Sequence, residues 1–234
     1  MSVKTNLLIA AAAVLGVSSA YAGGPEMMAA PAAPSFTPYF YGELGLGYAQ
    51  TGYADYYSLI GQSTVGAATD VDNKNGGLSY AGDFGYEFMP HLAVELGGGY
   101  LPQAKGTVPV VGQTGSTTDI KLNSWYAYGA GRIDTNLMND KVNVFAKAGV
   151  SYRSLSTDNI SDANPAFSDL DESYWGPIFG VGASYDVRDN IYVALEYNHL
   201  GGTNDLLTVS GSSAKVGAPD VNIYMGKVGY KFNF

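Results

Sequence analysis

Eight runs of alternating apolar and polar residues, joined by turns that are short and long by turns, predict an all-β chain. They predict its closure into an eight-stranded antiparallel up-and-down transmembrane β-barrel. The composition agrees: 31 Gly, 19 Tyr and 9 Phe beside only 14% charged residues is a strand-rich mixture, and rings with one polar end suit a water–lipid boundary. An export leader at one end and an aromatic stop at the other direct the apolar face toward hydrocarbon rather than toward a water-excluded core.

The leader comes first. Met1 to Ala22 reads as a secretory signal peptide, with Lys4 as its positive region, Leu7 to Val17 as its apolar stretch and Ala20-Tyr21-Ala22 as a cleavage site. That stretch is too short for a transmembrane helix, which needs about 20 residues. The mature chain is therefore expected to start at Gly23. The absence of cysteine excludes disulfides and a lipidated N-terminal cysteine, which suits a bacterial envelope protein. Residues 23–38 hold Pro25, Pro31, Pro34 and Pro38, a density that resists helix and sheet, and predict a Pro/Ala-rich periplasmic linker ahead of a barrel over 39–234. The net charge of −9 and the lack of any basic run exclude nucleic acid as a partner.

The barrel strands are expected at Tyr39–Ala49, Leu78–Met89, His91–Leu101, Lys121–Ile133, Val142–Ser154, Ser173–Val187, Ile191–Gly201 and Val221–Phe234. Each is near the roughly 9–11 residues that a tilted strand needs to cross a bilayer. The second and third, fourth and fifth, and sixth and seventh runs are joined by short turns. Gln50–Gly77, Pro102–Ile120, Leu155–Glu172 and Gly202–Asp220 are long, and strict alternation gathers these four loops at one, extracellular, end. The outward faces are read as Phe40, Leu44, Leu46 and Tyr48; Tyr80, Phe84 and Tyr86; Val94 and Leu96; Trp125; Val150; Phe179 and Val181; Val193 and Leu195; and Val228, Tyr230, Phe232 and Phe234.

Every charged residue within a strand core falls on the opposite parity: Glu43, Asp83, Glu87, Glu95, Asp186 and Glu196, with Arg132, Lys147, Arg153, Lys227 and Lys231. A lipid-facing charge near the midplane costs about 2–4 kcal/mol, so this segregation is informative. Eight strands leave a lumen just wide enough for side chains. Charges there are tolerated only when paired and hydrogen-bonded, which predicts a salt-bridged polar lumen with Lys227 and Lys231 beside Glu43. A structural plug and a gate that opens a narrow channel for ions or very small solutes both remain open on this reading.

The last eight residues carry a resemblance. Lys227, Gly229, Phe232 and Phe234 are similar in spacing to the C-terminal assembly signal of bacterial outer-membrane barrels. With the turn pattern, they make residues 39–234 resemble the small eight-stranded outer-membrane β-barrel family, including the OmpA-type transmembrane domain and porin-like barrel surface proteins. The resemblance implies residence in the bacterial outer membrane and contact with its lipid and lipopolysaccharide. It also implies insertion by the barrel assembly machinery, and a structural role or recognition of a host or surface ligand through the loops. OmpA-type proteins also carry a C-terminal peptidoglycan-binding domain, and the chain ends at the barrel, so wall anchoring by that route is not expected.

Catalytic and metal chemistry find little footing. Some small barrels are lipid A deacylases with a His-x-Ser pair, but here Asn198-His199-Leu200-Gly201 puts glycine in the serine slot, so no catalytic residue and no enzyme activity are expected. Two histidines and no cysteine argue against zinc, and no cofactor is expected. Asp158, Asp162, Asp169, Asp171 and Glu172 form an acidic stretch without Lys or Arg, read chiefly as a solvated loop and alternatively as a weak divalent-cation site. Gly45-x-Gly47 and Gly180-x-Gly182 lie mid-strand with no helix after them, so they relieve crowding rather than bind phosphate.

Overall fold

The structure, a computed structural model, describes residues 36–52, 70–72, 75–110, 113, 115–137, 141–159, 162, 170–208 and 215–232. The leader, most of the linker, Asp169 and Phe234 lie outside the described residues. Strands β1 (Tyr39–Thr51), β3 (Gly77–Met89), β4 (Leu92–Tyr100), β6 (Thr117–Leu137), β7 (Val142–Asp158), β8 (Leu170–Arg188), β9 (Ile191–Leu200) and β12 (Val221–Phe232) pair antiparallel in that order. The last strand returns to the first, from Phe40 opposite Phe232 to Thr51 opposite Val221, so the eight form a closed ring without an edge. The expectation of an eight-stranded barrel therefore holds.

The long connections contain more β-structure than the sequence reading allowed. They hold β2 (Asp70–Asp72), β5 (Ala104–Pro109) and the hairpin β10 (Thr203–Thr208) with β11 (Lys215–Ala218). β5 continues the line of β4 after a break at Leu101-Pro102-Gln103. Tyr100 sits opposite Trp125, but Ala104 sits opposite Leu122, so β4–β5 carries one extra residue and its inward parity shifts. Such a bulge suits Pro102, which has no N–H to give to the ladder. β6, β7 and β8 run well past the length that a bilayer requires. Asp158, Asp171 and Glu172, expected in a loop, are therefore strand residues, with Leu155 opposite Glu172 and Ser156 opposite Asp171.

The two faces follow the period of two. Outward residues are apolar and open, with Leu44 at 76%, Leu195 at 73% and Trp175 at 71% exposed, as expected for a surface wetted by hydrocarbon. Stacked, tilted or edge-on rings line both margins: Tyr80 with Tyr100, Tyr152 with Trp175 and Tyr197 with Tyr224 toward the long connections, and Phe40 with Tyr86 and Tyr230 with Phe232 toward the short turns. Beyond the upper rings the outer surface turns polar. Gln103 donates to Asn123 at 2.6 Å, Asn123 donates to Asp158 at 2.9 Å, and Lys105 pairs with Asp119 at 2.8 Å. This change of chemistry along one face marks the water boundary.

Inside, an apolar layer of Leu101, Tyr126, Ile178, Leu200, Val221 and Ile223 lies toward the long connections. Tyr41, Ala93, Phe145, Tyr192 and Ala194 form a second cluster toward the short turns.

Candidate functional site in the barrel lumen

Between these layers the lumen is ionised. Glu43 comes from β1, Asp83 from β3, Glu95 from β4, Arg132 from β6, Lys147 from β7, Glu196 from β9 and Lys227 from β12. All seven are buried. Period two turns each inward, and the strand stagger brings them to one height.

Six of them close a loop of alternating sign. Glu95 pairs with Lys147 at 2.6 Å, Lys147 with Glu196 at 2.7 Å, Glu196 with Lys227 at 2.7 Å and Lys227 with Glu43 at 3.1 Å. Arg132 completes it, at 3.3 Å from Glu43 and 3.4 Å from Glu95. Six different strands contribute, and the Lys147 stem crosses the lumen to reach β4 on one side and β9 on the other. β8 contributes space: a Cβ at Gly180 would lie 2.8 Å from Lys147 Cγ. The seventh group, Asp83, pairs with Lys227 and stands beside Tyr128.

Aromatic residues finish the network. Tyr192 donates to Glu43 at 2.7 Å and Tyr41 donates to Glu95 at 3.0 Å. The Tyr128 oxygen lies 2.6 Å from Asp83, from Glu95 and from Lys147 alike. The Arg132 guanidinium stacks 3.8 Å from the Phe145 ring centre and 5.2 Å from that of Tyr41, so its weakly hydrated faces are covered while its edge is ion-paired. Asn198 donates to Glu196. The sequence reading treated the inner face as non-aromatic and so missed Tyr41, Tyr126, Tyr128, Tyr192 and Phe145. Their signal was rings on both parities, as in Trp125-Tyr126 and Phe40-Tyr41.

Three of these inward rings rest on a glycine directly opposite in the next strand: Tyr41 on Gly85, Tyr128 on Gly97 and Tyr192 on Gly229. A Cβ at those glycines would lie 2.0 to 2.6 Å from the ring or its partner atoms, so the bare backbone is what lets each ring lie flat.

The other charged positions stand apart from the loop. Lys231, expected beside Glu43, instead binds Asp186 at 2.8 and 2.9 Å. It lies four residues from Lys227, about 13 Å along the strand, toward the short turns. Parity put it on the correct face, but height separates it from Glu43. Glu87 accepts from Tyr39 at the same lower level. Arg153 sits near the long connections and donates to Ser124 at 3.2 Å, Tyr174 at 3.0 Å and the Pro219 carbonyl at 2.7 Å.

Asp162 and Asp171 are exposed, Asp158 accepts from Asn123, and among the described residues no cluster of three acid or histidine groups is placed to hold a metal ion. His199 faces outward, with Nδ1 2.9 Å from Asn222 Oδ1, and His91 stands in the short turn 3.1 Å from Asp134.

The sequence matches the outer membrane protein beta-barrel domain over residues 9–234. The chain belongs to that family. It is an outer-membrane barrel, resident in the bacterial outer membrane and surrounded by its lipid. No curated protein matches it in sequence.

Among solved structures, this barrel is similar to OprG of Pseudomonas aeruginosa, at 14% identity and TM-score 0.50 over 83% of this chain and 96% of that one. It is also similar to Neisserial surface protein A, at 21% identity and TM-score 0.45 over 83% and 97% of the two chains. A third is Ail, the attachment invasion locus protein of Yersinia pestis, in complex with the heparin analogue sucrose octasulfate. There the identity is 13% and the TM-score 0.43, over 82% and 99% of the chains. At these identities OprG speaks for the fold alone.

Proposed function

We propose that this outer-membrane barrel is a closed, non-catalytic scaffold. Its lumen is sealed at mid-height, and its work is done by the envelope-exposed wall and long connections. The observation that carries this is the charge loop itself: six side chains from six strands, linked by contacts of 2.6 to 3.4 Å, with Glu43, Glu95, Lys147 and Glu196 wholly removed from solvent. An apolar layer covers it on the side of the long connections. The tall upper halves of β6, β7 and β8 supply an area for lipopolysaccharide or a surface ligand, in keeping with loops and rims carrying partner contacts. On this reading Lys227, Gly229, Phe232 and Phe234 also serve the assembly machinery.

Planar-bilayer recording on the refolded protein tests the seal. The wild type is expected to give no steady conductance, and Lys147→Met to admit openings. Steady ohmic openings by the wild type would replace this reading with that of a narrow channel.

A further inference from the structure

The alternating loop is neutral: Glu43, Glu95 and Glu196 balance Arg132, Lys147 and Lys227. Asp83 is a fourth carboxyl group in the same buried cluster, and its cation, Lys227, is already shared with Glu43 and Glu196. The groups that face it are Glu43 from β1, Glu95 from β4, Tyr126, Tyr128 and Arg132 from β6, Lys147 from β7, Glu196 from β9 and Lys227 from β12, while β8 presents Gly180. None supplies a further positive charge.

Hydrogen counting leads to the same residue. The Tyr128 oxygen has partners at 2.6 Å in Asp83 Oδ1, Glu95 Oε1 and Lys147 Nζ. A phenol has one hydrogen to give and two lone pairs to receive with. Lys147 can only donate, and the phenol hydrogen satisfies one carboxylate. The third contact therefore needs a hydrogen brought by the remaining carboxyl group. Glu95 also accepts from Lys147, Arg132 and Tyr41, the pattern of an ionised group. Asp83 is the group left to donate. The pair is pressed against the bare backbone of β4, where a Cβ at Gly97 would lie 2.0 Å from Asp83 Oδ1 and 2.6 Å from the Tyr128 ring.

We propose that this cluster is a proton-binding site: at neutral pH Asp83 is a neutral carboxylic acid that donates to the Tyr128 oxygen, while Tyr128 donates to ionised Glu95. The proton makes the lumen electrically neutral and completes every contact of the phenol. The proposal deepens the closed-lumen reading, but its test does not depend on conductance, so each can fail alone.

Infrared spectroscopy of the full protein in lipid vesicles at pH 7 decides it. The expected result is one neutral-carboxyl C=O band that shifts when aspartate is labelled with carbon-13. The band is lost in Asp83→Asn and moves in Tyr128→Phe. Absence of such a band in the wild type, or a band that shifts with labelled glutamate instead, overturns the assignment. Where Asp83→Asn fails to fold, the aspartate-label shift in the wild type together with the band's response to Tyr128→Phe makes the assignment, and an aspartate band that Tyr128→Phe leaves in place overturns it.

Discussion

Replacing Lys227 with methionine keeps the stem and deletes the charge. Three carboxyl groups lose a partner, but unequally. Glu196 keeps Lys147 at 2.7 Å, Glu43 keeps Arg132 at 3.3 Å and Tyr192 at 2.7 Å, and Asp83 keeps only Tyr128. The cluster is left one positive charge short where water cannot enter to compensate. Removing one member of a buried ion pair costs about 3–5 kcal/mol, chiefly because the abandoned charge stays desolvated. Lys231→Met is the internal control, because its partner Asp186 is partly solvated and the pair contributes about 1 kcal/mol or less.

Both variants are to be unfolded in urea from lipid vesicles, followed by the fluorescence of Trp125 and Trp175. The expected outcome is a loss for Lys227→Met several times that for Lys231→Met. Equal losses, or a change below about 1 kcal/mol for Lys227→Met, would refute the view that the mid-height loop is the desolvated centre of the barrel.

Three further outcomes follow from other parts of the molecule. Leu195→Arg puts a charge on an open outward position, and should destabilise the vesicle-inserted barrel by about 2–4 kcal/mol if that site is near the midplane; no effect in vesicles would contradict a hydrocarbon-facing wall. Gly97→Ala forces a methyl group into Asp83 and the Tyr128 ring and should cost about 1–3 kcal/mol by overpacking, read in the same urea titration. Asp119, on the part of β6 beyond the upper rings, has its carboxyl held below the usual carboxylate range by hydrogen bonds from Lys105 and Thr107. Its contribution is complete above the unfolded-state value and is lost as pH falls through the lower folded-state value. Protection factors of the amides along Ala104–Val108, which divide out the intrinsic pH dependence of exchange, should accordingly fall on acidification, and Asp119→Asn should remove that fall.

The strand pattern was legible because two solvents, hydrocarbon outside and buried charge inside, force alternate residues apart. The existence and order of all eight barrel strands could be read from that alternation. What could not be read is which charges meet. Glu43 and Lys227 are joined through barrel closure, and Lys147 reaches Glu95 and Glu196 across the lumen; both depend on stagger between strands, which no single strand encodes. Lys231 shows the limit, with its face correct and its height wrong. The inward rings were hidden because Tyr is at home on either face; adjacent rings such as Trp125-Tyr126, and for three of them the facing glycines Gly85, Gly97 and Gly229, are what betray them. Strand growth into the long connections was masked by polar residues that read as loop, although above the membrane both faces of a strand can be wet.

The loop of six charges has a kinetic corollary. Arg132–Glu95 and Glu196–Lys227 join successive barrel strands, but the loop closes only through Lys227 and Glu43, 184 positions apart. A growing series of hairpins can therefore pair part of its interior, but it holds Glu43, Glu95 and Glu196 against only Arg132 and Lys147 until the last strand is in place. That unbalanced negative charge keeps the centre hydrated until the final strand arrives, when Lys227 docks between Glu43 and Glu196 and water leaves. Closure and drying become one event, so a nearly finished barrel remains wet inside and only the completed one is inert.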